Sequence, residues 1–356
     1  MKILKYLFFL LLIVIVGASV YFGTKDGTFD VAVTKTIHAP VDLLFNQAND
    51  YKNWQDWGPW MENDPNIKMN FSEKTQGEGA SYSWESEVEG NGAMKTLQVA
   101  EKDSILQKIT FNTPLGDSES DVYWKFTPVN KGETEITWGM KGEQSFMEKV
   151  FMAFQKEPFE RMLKGMFNKG LDNMDAIVQE EMKKYTITVE GIKDYGGGYY
   201  MFTTAASKTS EIGEKMGAML GKVSEFMTQN NIQPTGMPFT LYNEWDDANG
   251  TTIFSTAIPV AEKIIVTQGD VLCGFMEPLS ALKIVLKGNY VNLAEAYKAG
   301  EDYITIHKLV KDPAHKLFEV YANDPGDIPN PAQWETHIYL PVFKDLRVDN
   351  NLIEAP

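Results

Sequence analysis

The sequence predicts an α+β protein in which one apolar N-terminal helix precedes two units of antiparallel strands and helices. Three observations indicate this fold class. An uncharged apolar run extends from Tyr6 to Gly23, a series of alternating strands leads into a long helical stretch, and one strand pattern occurs twice in the second half. Because 356 residues exceed what a single hydrophobic core usually organises, two globular units are expected.

The composition is typical of a folded protein with an acidic surface. Apolar residues make up 43% of the chain and charged residues 23%. A formal net charge of -16 and the lack of any Lys/Arg cluster argue against a nucleic-acid partner, because phosphates would be repelled. The same charge would concentrate organic cations near the surface. Cys273 is the one cysteine, so no intramolecular disulfide is possible.

Residues 1–25 are predicted to be a membrane anchor. At 1.5 Å per residue, the run from Tyr6 to Gly23 just crosses a hydrocarbon core about 30 Å thick. Lys2 and Lys5 precede it, which predicts a single-pass helix in the cell membrane with a cytoplasmic N-terminus and extracytoplasmic globular units. The alternative is a cleaved signal peptide. Bulky Val20 and Phe22 argue against cleavage, although Ala18 and its neighbour are small.

A first globular unit is predicted over residues 27–183. It opens with the alternating strand FDVAVTKTIHAP and a short helix that begins after Pro40, followed by the tryptophan-rich loop DYKNWQDWGPW. A long helical stretch from Phe146 to Lys184 closes the unit, and Pro158 is expected to kink or break it. Between loop and helix the alternation predicts further strands, near residues 67–73, 80–89, 94–101, 104–112, 120–128 and 133–143.

Period-2 alternation places one tryptophan on the apolar face of each of three strands. Trp84, Trp124 and Trp138 share faces with other apolar residues, whereas the opposite faces carry charges. A sheet curved around the long helix would therefore enclose a Trp- and Met-lined interior. Two interpretations stay open, a filled core and a pocket in which these three tryptophans contact an apolar ligand.

The run VTKTIHAPVDLLF followed by DYKNWQDWGPW resembles the opening of the START-like, polyketide-cyclase superfamily known as SRPBCC. The resemblance extends over the whole unit in its order of elements. It implies a helix-grip fold, a seven-stranded antiparallel sheet around a C-terminal helix, with a cavity for lipids or other hydrophobic molecules. The family has no universal catalytic residue, so the resemblance leaves the chemistry open.

A second unit is predicted over residues 185–345, and it contains an internal repeat. PFTLYNEWD and IFSTAIPV, between Pro238 and Val260, match LFEVYANDP and THIYLPV, between Leu317 and Val342. Amphipathic helices precede both copies. The pattern predicts two β-α-β-β halves related by a pseudo-twofold axis, with a ligand groove between them.

The elements KGNYVNLAEAY, FEVYANDP and WETHIYLPV resemble the gyrase-inhibitor-like (GyrI-like) domain, also called the AraC-type effector-binding domain. That family binds lipophilic, often cationic, compounds between aromatic walls, with a buried acidic residue as counter-charge. Glu319 matches the acidic position. Some members use that glutamate to hydrolyse strained electrophiles. The domain usually serves a helix-turn-helix transcription factor, and this chain has no such segment.

The residues themselves agree with a special role for Glu319. Its carboxylate lies in the largely apolar strand Leu317 to Tyr321, where burial would raise its pKa and a cation or a phenol would offset the cost. The alternative is a partly exposed glutamate on an edge strand. Aromatic residues expected around it, as sources of cation-π contacts, are Tyr321, Tyr290, Tyr297, Trp245 and Trp334.

Sequence motifs for other chemistry are missing. The four histidines are scattered, no phosphate-binding or Rossmann glycine motif follows a strand, and no nucleophile elbow occurs, so neither a metal nor a cofactor is expected. The leading hypothesis is a membrane-anchored binding protein for hydrophobic or lipophilic cationic small molecules, acting in sensing or sequestration. One alternative is a hydrolase with Glu319 as general base, and another is an adaptor for a protein partner.

Overall fold

The computed structural model describes residues 2–113, 116–323 and 325–343, which divide between two compact units, Met1–Glu181 and Met182–Pro356. Each unit combines an antiparallel sheet with helices, so the predicted α+β class is confirmed. The predicted end of the second unit at residue 345 lies outside the described residues.

A single apolar helix, α1 (Lys2–Thr24), opens the first unit. Its segment Ile3–Thr24 has a mean hydropathy of 2.6 and none of it is buried within the protein. The helix is long and apolar enough to be either a membrane anchor or a signal sequence.

The sheet of the first unit has seven antiparallel strands in the order β1-β7-β6-β5-β4-β3-β2. Short helices α2 (Val41–Asn49), α3 (Trp54–Trp57) and α4 (Trp60–Asn63) come between the first two strands. The strands are β1 (Thr28–Ile37), β2 (Lys68–Phe71), β3 (Ser81–Glu85), β4 (Asn91–Ala100), β5 (Ser104–Thr113), β6 (Gly116–Asn130) and β7 (Glu133–Glu143).

Pro158 breaks the predicted long helix into α5 (Phe146–Ala153) and α6 (Phe159–Lys183). The α6 face that carries Phe167, Leu171, Met174 and Val178 is buried. Lys35 of β1 ties the helix to the sheet through ion pairs with Asp172 and Asp175 at 2.8 and 2.9 Å. The 3.6-residue period of the apolar positions therefore decides which face of α6 meets the sheet.

The second unit contains one eight-stranded sheet in the order β12-β9-β11-β10-β14-β15-β13-β8. Helix α7 (Ile212–Gln229) packs on β9 and β11, and α8 (Leu293–Ile306) packs on β8, β13 and β15. The strands are β8 (Thr186–Tyr195), β9 (Gly198–Lys208), β10 (Phe239–Asp246), β11 (Thr251–Val260), β12 (Leu272–Met276), β13 (Leu279–Lys287), β14 (Phe318–Tyr321) and β15 (Glu335–Pro341).

The strand order of this sheet is palindromic about its centre. From the centre outward, β10, β11 and β9 on one side match β14, β15 and β13 on the other. The edge strands are swapped: β8, which precedes β9 in sequence, pairs with β13, and β12, which precedes β13, pairs with β9. Each half thus has one strand more than the β-α-β-β pattern expected from the sequence. At the centre, β10 and β14 pair antiparallel with Thr240 opposite Glu319. Since both residues hold the third position of their repeat, the local two-fold relation passes between them.

The tight contact between α6 and the sheet generates a test of the fold. A Cβ atom on Gly170 would lie 2.5 Å from the Trp138 ring, whereas one on Gly165 of the same helix would meet nothing within 4 Å. We expect Gly170→Ala to lower the free energy of unfolding by about 1–3 kcal/mol through overpacking. Gly165→Ala should raise it by about 0.5–1 kcal/mol, because alanine favours helix. Urea unfolding of the detergent-solubilised chain measures both, and equal effects would contradict this packing.

Candidate ligand-binding groove

A large groove lies in the second unit, between α7 and α8 over the central strands β10 and β14. Its volume is about 1590 Å³, at or above the upper end of the usual range for small-molecule sites. Apolar and aromatic side chains form most of its wall. They include Met216, Leu220, Met237, Tyr242, Trp245, Ile258, Tyr290, Leu293, Tyr297, Leu317 and Tyr321, and Glu319 lies among them.

Glu319 is a buried carboxylate at the base of this groove, with 1% of its surface exposed. Three phenols donate hydrogen bonds to it. Tyr297 of α8 donates to Oε1 at 2.6 Å, and Tyr242 and Tyr321 donate to Oε2 at 3.1 and 3.0 Å. No ion pair to Glu319 occurs among the described residues within 4.0 Å, so neutral donors alone compensate the carboxylate. The interpretation of Glu319 as a partly exposed edge-strand residue is therefore wrong on geometry.

Burial controls the ionisation of this cluster. Desolvation raises the pKa of Glu319 above its ordinary value, and the hydrogen bonds from Tyr297, Tyr321 and Tyr242 oppose that rise. Desolvation also raises the pKa of all three tyrosines well above the ordinary value, and the neighbouring Glu319 charge adds to the effect. The three phenols consequently stay protonated and act as donors, and the Glu319 carboxylate is the group of this cluster that can take up a proton.

The internal repeat explains how two of the phenols reach the same oxygen. Tyr242 and Tyr321 hold the same position in PFTLY and LFEVY, and β10 and β14 pair antiparallel around Thr240 and Glu319. The local two-fold relation thus brings both rings to the axis where Glu319 lies. Sequence reasoning did not select Tyr242, although its match to Tyr321 in the repeat was a usable signal.

The third phenol breaks the symmetry. Tyr297 and Met216 are each the fifth residue of their helix, so they occupy matching places on the two sides of the groove. Tyr297 donates to Glu319, whereas the Met216 sulfur lies 2.9 Å from the Tyr321 hydroxyl oxygen. One wall is therefore polar near the carboxylate, and the other presents a soft, adaptable thioether.

A β-bulge brings Trp245 to the groove. The register of β10 against β11 shifts between Tyr242 and Glu244, so that Tyr242 pairs with Phe254 and Trp245 with Thr252. Because those partners are two residues apart, both aromatic residues project to the same face. Their rings meet edge to face at 5.6 Å, with the tryptophan half exposed at the rim.

Tyr290 and Trp334 form a second aromatic pair with unequal positions. Tyr290 lines the groove, and its ring lies 5.9 Å from that of Tyr321. Trp334 does not belong to the lining. It packs behind Tyr290 at 4.9 Å, and its Nε1 donates to the Ile328 carbonyl at 2.7 Å. Trp334 lies behind Tyr290 and not in the groove, because this hydrogen bond turns its indole toward the segment that carries Ile328.

Charged residues at the rim make the groove acidic overall. Glu244, Asp247 and Glu301 line it in addition to Glu319, against Lys316 and His315. Glu301 is paired to Lys311 at 2.6 Å, and His315 lies 2.7 Å from Asp312. Sequence reasoning did not select these rim carboxylates, because charged residues are usual on the exposed faces of strands and helices and in turns.

The three tryptophans expected around a cavity in the first unit pack against other aromatic rings. Trp124 and Trp138 stack at 4.5 Å, and Trp124 donates to Gln107 at 3.0 Å. Trp54 and Trp57 contact both rings at 5.5 to 6.3 Å, and the segment predicted as a loop forms the short helix α3 where it carries them. Trp84 is buried against Tyr82 and Phe111. These contacts are those of an aromatic core under the sheet.

No group of three or more His, Cys, Asp or Glu side chains suited to a metal occurs in the part of the chain that the structure describes. The four histidines lie apart, and Cys273 accepts a backbone hydrogen bond from Ile264 at 3.3 Å.

Comparison with known proteins finds a family model that matches part of the chain, within the first unit. Residues 28–179 match a family described as "Polyketide cyclase / dehydrase and lipid transport". This agrees with the resemblance seen in the sequence, and such a family implies small-molecule binding. No curated protein matches the chain.

Several solved structures are similar in part. The C-terminal domain of EcmrR is 18% identical, over 45% of this chain and 98% of that one, with a TM-score of 0.38. Protein Ms6760 from Mycobacterium smegmatis is 16% identical, over 43% and 92%, with a TM-score of 0.32. An HSP90 activator from Plasmodium falciparum is 17% identical, over 42% and 96%, with a TM-score of 0.31.

The hydrogen bond from Tyr297 generates a prediction about pH. Tyr297→Phe removes a donor to the ionised Glu319, so the pKa of Glu319 should rise further. Because the pKa of this acid is already higher in the folded state than in the unfolded state, ionisation lowers stability as pH increases. The variant's deficit should therefore grow with pH, reaching about 1–3 kcal/mol.

Urea unfolding from about pH 4 to about pH 8 measures that deficit. Tyr303→Phe is the matched control, since Tyr303 lies on α8 but outside the groove lining and stacks on His307. A deficit for Tyr297→Phe that is constant across the pH range would mean that the hydroxyl is structural and does not stabilise the anion.

Proposed function

We propose that the protein is a membrane-anchored binding protein whose second unit binds lipophilic cations, in a sensing or sequestration role. The observation that carries the proposal is the buried Glu319 carboxylate, which three neutral phenols and no cationic side chain of the described residues compensate. It lies at the base of a large, mainly apolar groove.

The energetics favour a cationic ligand. An ionised carboxylate in apolar surroundings is costly, and hydrogen bonds from phenols return only part of its lost hydration. An organic cation entering the groove would supply the missing counter-charge while burying its apolar parts. The faces of Tyr242, Tyr290 and Trp245 add cation-π contacts of roughly 0.5–2 kcal/mol each. The acidic rim would also raise the local concentration of cations.

The domain organisation in this proposal follows the two units. We assign residues 27–183 to a START-like domain and residues 185–345 to a duplicated effector-binding domain of the gyrase-inhibitor-like type. The palindromic strand order and the central pairing of the two repeats support the second assignment. The family match over residues 28–179 supports the first, and with it a hydrophobic ligand for that domain.

The role of α1 in the proposal is to anchor both domains to the cell membrane. Its length and uncharged surface support a single membrane pass. Lys2 and Lys5 favour a cytoplasmic N-terminus. With that orientation, both domains would lie on the extracytoplasmic side of the membrane.

Glu319→Gln tests the charge preference of the groove. The variant should bind tetraphenylphosphonium about 5- to 150-fold more weakly, equivalent to about 1–3 kcal/mol, because it loses a buried counter-charge. The neutral analogue triphenylphosphine oxide should lose much less. Isothermal titration calorimetry measures both affinities. Glu301→Gln is the control, because Glu301 lines the same groove but is paired to Lys311 at the rim. Equal losses for both ligands would mean that Glu319 shapes the groove without reading charge.

The hydrolase alternative uses the same carboxylate as a general base toward water. The raised pKa makes the Glu319 carboxylate a stronger base than an ordinary glutamate, and this observation favours the alternative. The binding proposal expects no more than one equivalent of product when the protein is incubated with an aryl epoxide. Chromatography measures the diol product. More than one equivalent of diol per protein, lost in Glu319→Gln, would instead establish catalysis.

The domain assignment also predicts autonomous folding. Fragments 27–183 and 185–345 should each unfold cooperatively in urea, since each sheet closes within its own unit. A fragment that stays unfolded alone, while the longer piece 27–345 is folded, would place the boundary elsewhere.

A further inference from the structure

Helix α5 of the first unit has an inverted distribution of polar and apolar side chains. Phe146, Met147 and Phe151 are exposed on it, and Phe154 at its C-terminal cap is 83% exposed. Their spacing puts them on one face, since 147, 151 and 154 follow i, i+4, i+7, and 146 lies at the edge of the same face. A helix in contact with water on this side would present polar residues there.

The polar side chains of α5 are directed into the protein instead. Ser145 and Glu148 form a reciprocal capping box, and Glu148 also accepts a hydrogen bond from Ser118 of β6 at 2.6 Å. Lys149 is buried, and its ammonium donates to the Lys25 carbonyl at 2.7 Å. These contacts fix the rotation of α5 and therefore hold the aromatic face outward.

The same contacts place α5 beside the end of the apolar helix. Lys25 directly follows α1, and the Gln144 N–H donates to the Gly27 carbonyl at 2.8 Å. Helix α5 also packs against α1. The exposed aromatic face thus begins where the chain would leave the hydrocarbon core.

We propose that α5, with Phe154, lies in the interface of the lipid bilayer and binds its apolar face into the boundary between headgroups and acyl chains. This inference rests on the proposed anchoring by α1. An amphipathic helix in this position buries its apolar side about 5–10 Å into the boundary between headgroups and acyl chains, and aromatic residues are favoured in that interface. The bilayer is the occupant because α1 brings it to this face whenever the anchor is inserted.

This second contact has a consequence for the first unit. A single helix leaves an attached domain free to swing, whereas α1 together with α5 holds the first unit against the membrane in one orientation. The α5 end of β6 would face the bilayer. The other end of β6, at Val129, lies about 35 Å farther along the strand at 3.3 Å per residue.

Depth-dependent fluorescence quenching on the full chain tests the inference. In a Cys273→Ser background, single cysteines replace Phe151, Phe154, Val129 and Leu12, and each carries a nitrobenzoxadiazole probe. Val129 is the matched control, because it is apolar and 58% exposed, compared with 64% for Phe151. Leu12, in the middle of α1, reports on the anchor itself. The proteins are reconstituted into phosphatidylcholine vesicles with or without lipids that carry a nitroxide on the acyl chain.

Probes at 151 and 154 should be quenched by the nitroxide lipids at least 2-fold more than the probe at 129, and iodide should quench them correspondingly less. A probe at 12 quenched by lipid, with probes at 151 and 154 open to iodide, overturns the α5 proposal and leaves the anchor intact. A probe at 12 that is not quenched by lipid overturns the anchoring proposal as well. Probes at 151 and 154 shielded from both quenchers would mean that protein covers this face, which also refutes the bilayer contact.

Discussion

The architecture of the second unit depends on one buried carboxylate and the three phenols that solvate it. Glu319 is almost fully buried, and Tyr242, Tyr297 and Tyr321 donate to its two oxygens. Each phenol comes from a different element, so the cluster links β10, β14 and α8. An uncompensated charge would be too costly in this place, and the cluster exists only when the sheet and helix are correctly assembled.

The internal repeat accounts for the location of this cluster, and the differences between its two copies account for the chemistry. The paired repeats meet at Thr240 and Glu319, so a side chain at that position lies on the local two-fold axis in the middle of the sheet. Matching tyrosines converge there from both copies. Only one copy carries a carboxylate at that position, and Tyr297 occupies the place on α8 that Met216 occupies on α7. The two halves of the groove therefore differ around one buried carboxylate at its base.

The two units use aromatic residues for different physical purposes. In the first unit, the rings of Trp54, Trp57, Trp124 and Trp138 contact one another, and Trp138 also contacts Phe167 of α6. In the second unit aromatic rings line an open volume, and three phenol hydroxyl groups are directed to one carboxylate. Large rings packed together stabilise a core, whereas rings that share a polar partner leave room for a ligand.

The sequence by itself determined the α+β class, the apolar N-terminal helix, the break at Pro158 and the repeat, because each depends on local periodicity or on proline geometry. It also singled out Glu319, since a lone carboxylate in an apolar strand is unusual. Tertiary structure decided the rest. The bulge that turns Trp245 toward Tyr242, the place of Trp334 behind the wall, and the contribution of Tyr242 all follow from strand pairing. Strand pairing brings together residues that are far apart in the chain, and the local alternation of apolar and polar residues does not specify which strands pair.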